Sequence, residues 1–234
     1  SERCRQRLAR IVLESLERPS ESGTDEAIGL ELVAFLTPEW AALAIDRFVE
    51  RRGAKALVSD EGVFGRVRRA LDHLRHRRLV PSVFQAVERA LFSLAVESSG
   101  PWSARPIWAS LFRPVVHQTH QAFSDRIALL RRRVDDPDPR CREVALCGVV
   151  EVIAEGVGSH RPGWDDVDGP WWRPSVQEAL EGRSAGWQLL LRLGDDTDVG
   201  VARAARSAIA RKLGEVPTRE GVDAALDALP DHVM

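Results

Sequence analysis

The chain has 234 residues, 44% of them hydrophobic and 29% charged, with 33 Lys and Arg against 35 Asp and Glu. This balance suits a folded protein with its own core, and it excludes wholesale disorder and a strongly basic nucleic-acid binder. No apolar run approaches the roughly 18 residues of a membrane span, and the polar opening Ser1-Glu2-Arg3-Cys4-Arg5 lacks the apolar stretch of a signal peptide.

Helical periodicity dominates the rest. Helices are expected over 3–18, 25–36, 38–52, 62–79, 82–97, 103–112, 114–134, 138–155, 174–193, 197–213 and 217–229. Thr37-Pro38-Glu39 reads as an N-cap, a first-turn proline and an acid at the dipole's positive end. Phe64, Val67, Leu71 and Leu74 form one apolar stripe, and Val80, Phe84, Val87, Leu91 and Leu94 form the next. Ser82 with Gln85, and Ser175 with Glu178, have capping-box spacing, and Asp138-Pro139 repeats the cap-then-proline pattern. Phe123, Ile127, Leu130 and Val134 make a third stripe, and Val176, Leu180, Trp187 and Leu190 a fourth. Short connections imply antiparallel hairpins.

The expected fold is all-α, a right-handed α-solenoid of such hairpins. It is read as a single helical-repeat domain over 1–234, with irregular helices over 1–98 and repeats over 99–234, the latter interrupted by a Trp-rich insertion at 156–174. Position 1 is Ser and the only Met is Met234, so the chain is expected to be a fragment of a larger protein.

Two stretches repeat. Leu129 to Asp138 is a Leu- and Arg-rich helix end followed by Asp135-Asp136-Pro137-Asp138, and Leu189 to Asp198 ends in Asp195-Asp196-Thr197-Asp198. Each leads into a helix of small residues carrying Arg. The first resembles a HEAT-like repeat of the armadillo type, with Asp136, Asp138, Pro139, Arg142 and Ala145 in the repeat positions. In the second, Ala205 keeps the register and Arg203 sits one place late. The resemblance implies that Asp caps the second helix, Ala permits close approach, and Arg ladders to an Asp of the neighbouring repeat. The stretch Leu111-Phe112-Arg113-Pro114 through Thr119 to Arg126 is similar to the helical C-terminal region of bacterial STAND-type NTPases.

The candidate binding residues fall in two places. Trp164, Asp165, Asp166, Trp171 and Trp172 lie in the insertion, as recognition anchors or as a cover for a repeat edge. Arg66, Arg69 and Arg77 lie in residues 51–80, where nine basic groups face three acids; residues 135–170 reverse this, with nine acids against three basic groups. Asp165, Asp166 and Asp168 before Gly169 lack the ligand spacing of an EF-hand. His117 and His120 share a helix face but lack further zinc ligands nearby. Cys141 and Cys147, six apart, would lie roughly 240° apart around a helix, and Cys4 has no obvious mate. No metal, cofactor or catalytic residue is assigned, and a cytoplasmic setting is the expectation.

The expected function is a non-catalytic protein-binding, scaffold or sensor module of a larger bacterial protein. Its partner would be another protein or another domain of the same chain, with no membrane involved. The alternative is a HEAT-like DNA glycosylase or other nucleic-acid binder, suggested by Trp164 beside Asp165 and Asp166. The acids around that segment would repel phosphate, so nucleic acid is not favoured.

Overall fold

The computed structural model describes residues 23–75, 80–114, 121–154 and 174–214, together with Arg3, Gln6, Arg7, Arg10 and Glu14. Every regular element among the described residues is helical: α1 (Gly23–Leu36), α2 (Pro38–Arg52), α3 (Ala54–Ser59), α4 (Glu61–Leu74), α5 (Pro81–Glu97), α6 (Arg105–Ala109), a 3-10 turn (Ser110–Phe112), α7 (Phe123–Val134), α8 (Pro139–Ile153), α9 (Val176–Gly194) and α10 (Val199–Gly214). The all-α expectation therefore holds. The five described residues before α1 are helical too, as expected for 3–18, and Arg10 donates to Glu14 at 2.8 Å. The helix expected over 217–229 lies outside the described residues.

The local signals held unevenly. Asp138 caps α8 by accepting from Arg140 N, and Ser175 and Glu178 form the full capping box of α9. Thr37 precedes α2 but its side chain makes no capping bond. Ser82 does not cap α5, because Pro81 already occupies the first turn and Val80 stands at the cap position. The short α3 was not foreseen. Gly53, at φ 78°, takes a left-handed conformation that ends α2, and six residues are too few to show a helical period. Asp60 then caps α4 by accepting from Val63 N at 3.1 Å. Of the helix expected over 114–134, Phe123–Val134 is helical and 114, 121 and 122 are not, while 115–120 lie outside the described residues; that over 103–112 divides into α6 and the 3-10 turn.

The chain divides into two compact units between Trp108 and Ala109. Segments 23–75 and 80–108 belong to the first, and 109–114, 122–154 and 174–214 to the second. In the first unit α1 packs on α4, α2 on α5, and α1 on α2, with α3 against α4 and α5. Its core holds Leu30, Ile45, Val67, Leu71, Leu74, Phe84, Leu91 and Leu94, which includes most of the two foreseen stripes; Val80 is exposed.

In the second unit α7 packs on α8 and α9, α8 on α9 and α10, and α9 on α10. Phe123, Ile127, Leu130 and Val134 are buried as foreseen, and so are Trp187 and Leu190 of the fourth stripe, but Val176 and Leu180 are exposed. The true inner face of α9 runs through Gly182, Ala185, Gly186, Leu189, Leu190 and Leu193. Its small residues let neighbours approach. A Cβ at Gly182 would enter the Phe123 ring, and one at Gly186 would stand 2.7 Å from Val152 Cγ1 and 3.0 Å from Ile153 Cγ1. Gly186→Ala would gain about 1 kcal/mol of helix propensity but lose about 1–3 kcal/mol to overpacking. The expected result is a lower urea midpoint. A raised midpoint would mean that α8 moves aside.

Candidate interaction surface

Two turns in the second unit are built alike. Asp136 Oδ1 accepts from Asp138 N at 3.0 Å, and Asp196 Oδ1 accepts from Asp198 N at 2.8 Å. Asp138 Oδ1 then caps α8 through Arg140 N, while Asp198 Oδ1 accepts from Gly200 N and Val201 N ahead of α10. Asp side chains suit this role because they satisfy the orphan amides of a helix start and favour its dipole. The chemistry recurs at a spacing of 60 residues.

Arg142, in the first turns of α8, joins one turn to the other. Its Nη1 donates to Asp136 O at 2.8 Å and Pro137 O at 2.9 Å. Its Nε and Nη2 donate to the two carboxylate oxygens of Asp196 at 2.7 and 2.9 Å. The side chains are 13% and 7% exposed, so the fork sits in a place where water competes poorly. Arg192 closes a second link, to Asp135 at 2.5 Å. Ala145 and Ala205 are both fully buried. Arg203, one place late in the second copy, is exposed.

The hydrogen bond from Arg142 holds the Asp196 carboxyl below its ordinary value, against the opposing effect of burial. A carboxylate with a depressed folded pKa adds stability above its unfolded value of about 3.9 and loses that contribution as pH falls through the folded value. Stability should therefore drop as the solution is acidified below about pH 5, and less so in Asp196→Asn. Denaturant titrations at a series of pH values check this; an identical acid slope in the variant would contradict it.

The basic stretch of the first unit is largely engaged. Arg66 and Arg69, both on α4, donate to the two oxygens of Glu31 at 3.1 and 3.0 Å. Burial pushes the Glu31 carboxyl up, but the bonds from Arg69 and Arg66 outweigh it and hold the group below its ordinary value. Arg51 and Arg52 reach the buried Glu26 at 3.3 and 3.1 Å, and Arg75 reaches Asp72 at 2.5 Å. Arg68 stands 5.7 Å from the ring centre of Trp102, which is 73% exposed. A phosphate arriving here would compete with intramolecular carboxylates for Arg66 and Arg69. Arg77, Trp164, Asp165, Asp166, Trp171, Trp172, His117 and His120 lie outside the described residues.

Sequence reading passed over three buried charges. Arg126 of α7 has no exposed surface and donates to Leu111 O, Arg113 O and Pro114 O at 2.9, 2.6 and 3.2 Å. Burial pulls its guanidinium down to about 9. Glu88 of α5 accepts from Trp108 Nε1 at 3.0 Å, and Glu26 is the third. The available signal was position: Arg126 stands three residues after Phe123 and four before Leu130, on the apolar stripe, and Glu88 stands four after Phe84. Burial, followed by Asp136 and Asp138, raises the Cys141 thiol to about 11, which suits a packing residue and not a nucleophile. Among the described residues no group of His, Cys, Asp and Glu could hold a metal ion.

No protein family, curated protein or solved structure matches this chain.

Proposed function

We propose that the chain is a non-catalytic protein-binding or scaffold module built on HEAT-like helical repeats, working as part of a larger protein. The observation that carries this reading is the recurrence of the Asp turn at Asp136 and Asp196, with Arg142 of one turn bonded to the carboxylate of the other. In a solenoid each hairpin contacts its neighbours, and a side chain at a fixed position ties successive units. The packing of α7 on α9 and of α8 on α10 is the pairing that two consecutive hairpins would give. On this reading α7–α8 and α9–α10 are two units of a right-handed superhelix. The Trp-rich insertion expected at 156–174 then falls between them in sequence, and insertions of that length tend to carry recognition.

The partner is another protein or another domain of the parent chain, and the pairing of Arg66 and Arg69 with Glu31 favours this over nucleic acid. The test compares the full chain with a Trp164→Ala, Trp171→Ala, Trp172→Ala variant in affinity capture from source-cell extract, at moderate and high salt. A protein retained by the first and lost by the second supports the reading. Identical capture by both, or retention only of nucleic acid that salt releases, overturns it.

A further inference from the structure

The chain between α5 and α6 contains a tight turn written in its sequence. Gly100-Pro101-Trp102-Ser103 puts proline at the second place of a four-residue turn, where its fixed φ is the one the turn needs. Ser103 N donates to Gly100 O at 3.2 Å and closes the turn, with Gly100 left-handed at φ 80°. The base is pinned from inside the fold. Ser98 Oγ accepts from Ala104 N at 3.0 Å, and Arg105 Nε donates to Ala95 O at 3.1 Å. Ser98 and Ser103 are buried, whereas Ser99, Gly100 and Pro101 are exposed. A braced loop thus holds Trp102 outward. Trp108, six residues on, is fully buried; Trp102 is 73% exposed and leaves on the order of 150 Å² of its side chain in water.

Beside it stands Arg68 of α4, its guanidinium carbon 5.7 Å from the ring centre. The other arginines around it are engaged by carboxylates: Arg66 and Arg69 by Glu31, Arg75 by Asp72. Arg68 is partly exposed and, among the described residues, has the indole and no carboxylate.

We infer that Trp102 and Arg68 form a docking site for a short acidic segment of a protein, one in which a carboxylate lies next to an aromatic or proline ring. This rests on the reading of the chain as a protein-binding module and gives that module a site outside the Trp-rich insertion. Charge selects the acid: the carboxylate pairs with the guanidinium that lacks one. The ring of the segment lies against the exposed indole. Trp and Arg are the side chains that most often dominate an interface, and a loop already held in shape loses little entropy when it binds. Nucleic acid fits less well. Strand-binding surfaces combine a stacking ring with several free cations along the backbone, and here Arg66, Arg69 and Arg75 carry acids of their own.

The experiment screens the full chain against a display library of random short peptides and measures each selected peptide by fluorescence anisotropy. Selected sequences should carry Asp or Glu beside Phe, Tyr, Trp or Pro. Trp102→Ala and Arg68→Gln should each weaken binding by at least about tenfold, with helix content by circular dichroism unchanged. Arg68→Glu should instead select Lys or Arg in place of the acid. The chain with Trp164→Ala, Trp171→Ala and Trp172→Ala should bind the selected peptides as the wild type does, so this site and a role for the insertion fail separately. A selection without an acidic motif overturns the proposal. So do peptides that bind Trp102→Ala as tightly as the wild type, or an oligothymidylate that binds more tightly than any selected peptide. Loss of helix in Trp102→Ala would make the indole a structural brace and count equally against a docking site.

Discussion

Arg142→Ala should cost about 2–4 kcal/mol of stability. Three things are lost together. The bidentate bond to Asp196 goes, leaving a carboxylate that is 7% exposed without its cation. The carbonyls of Asp136 and Pro137 lose their donor at a turn where the chain reverses. The link between two turns 60 residues apart is cut. Arg142→Lys separates these effects. It keeps the charge but cannot reach both oxygens and two carbonyls at once, so about half of the loss should remain. Chemical denaturation of the three proteins checks the order. A charge-only account would predict that Lys restores nearly all of it.

Arg126→Ala should cost a comparable amount, about 2–4 kcal/mol, for a different reason. The side chain is fully buried and serves as the terminal donor for the 3-10 turn and the residues after it, through Leu111, Arg113 and Pro114. Its guanidinium also stands 4.9 Å from the centre of the Phe123 ring. Burial lowers its pKa to about 9, so it is still a cation at neutral pH and its hydrogen bonds are charge-assisted. Truncation to Ala removes those bonds and opens a cavity. Arg126→Met refills most of the volume and isolates the hydrogen bonds, with an expected loss of about 1–3 kcal/mol. If Met is as stable as Arg, the carbonyls have found other donors and the turn does not depend on this residue.

Those two arginines show what a single sequence reveals and what it hides. Arg142 was legible because its surroundings repeat: an Asp-x-Asp turn, a helix start and a buried Ala recur around Ala145 and Ala205. Repetition marks a position as structural even when its contact lies far off in the chain. Arg126 occurs once, and a lone Arg within an apolar stripe looks like a surface residue until the facing carbonyls are in view. The apolar stripes of α4 and α7 were legible because each buries a single face, and that of α5 because its large residues recur at helical spacing, although its buried arc runs on through Val83, Glu88 and Phe92. The stripe of α9 was legible only in its second half, where Trp187 and Leu190 are buried; its first half was not, since Val176 and Leu180 are exposed and the inner face there is made of Gly182, Ala185 and Gly186. A periodicity of large side chains points the wrong way when close approach demands small ones.

The central claim is that successive hairpins are tied turn to turn, and a double-mutant cycle on Arg142→Ala and Asp196→Ala, read by urea denaturation, tests it most directly. The account predicts that the two losses overlap, with a coupling of at least about 1.5 kcal/mol between positions 54 residues apart. Losses that simply add, to within about 0.5 kcal/mol, would mean that the turns stand independently and that the hairpins are not joined there.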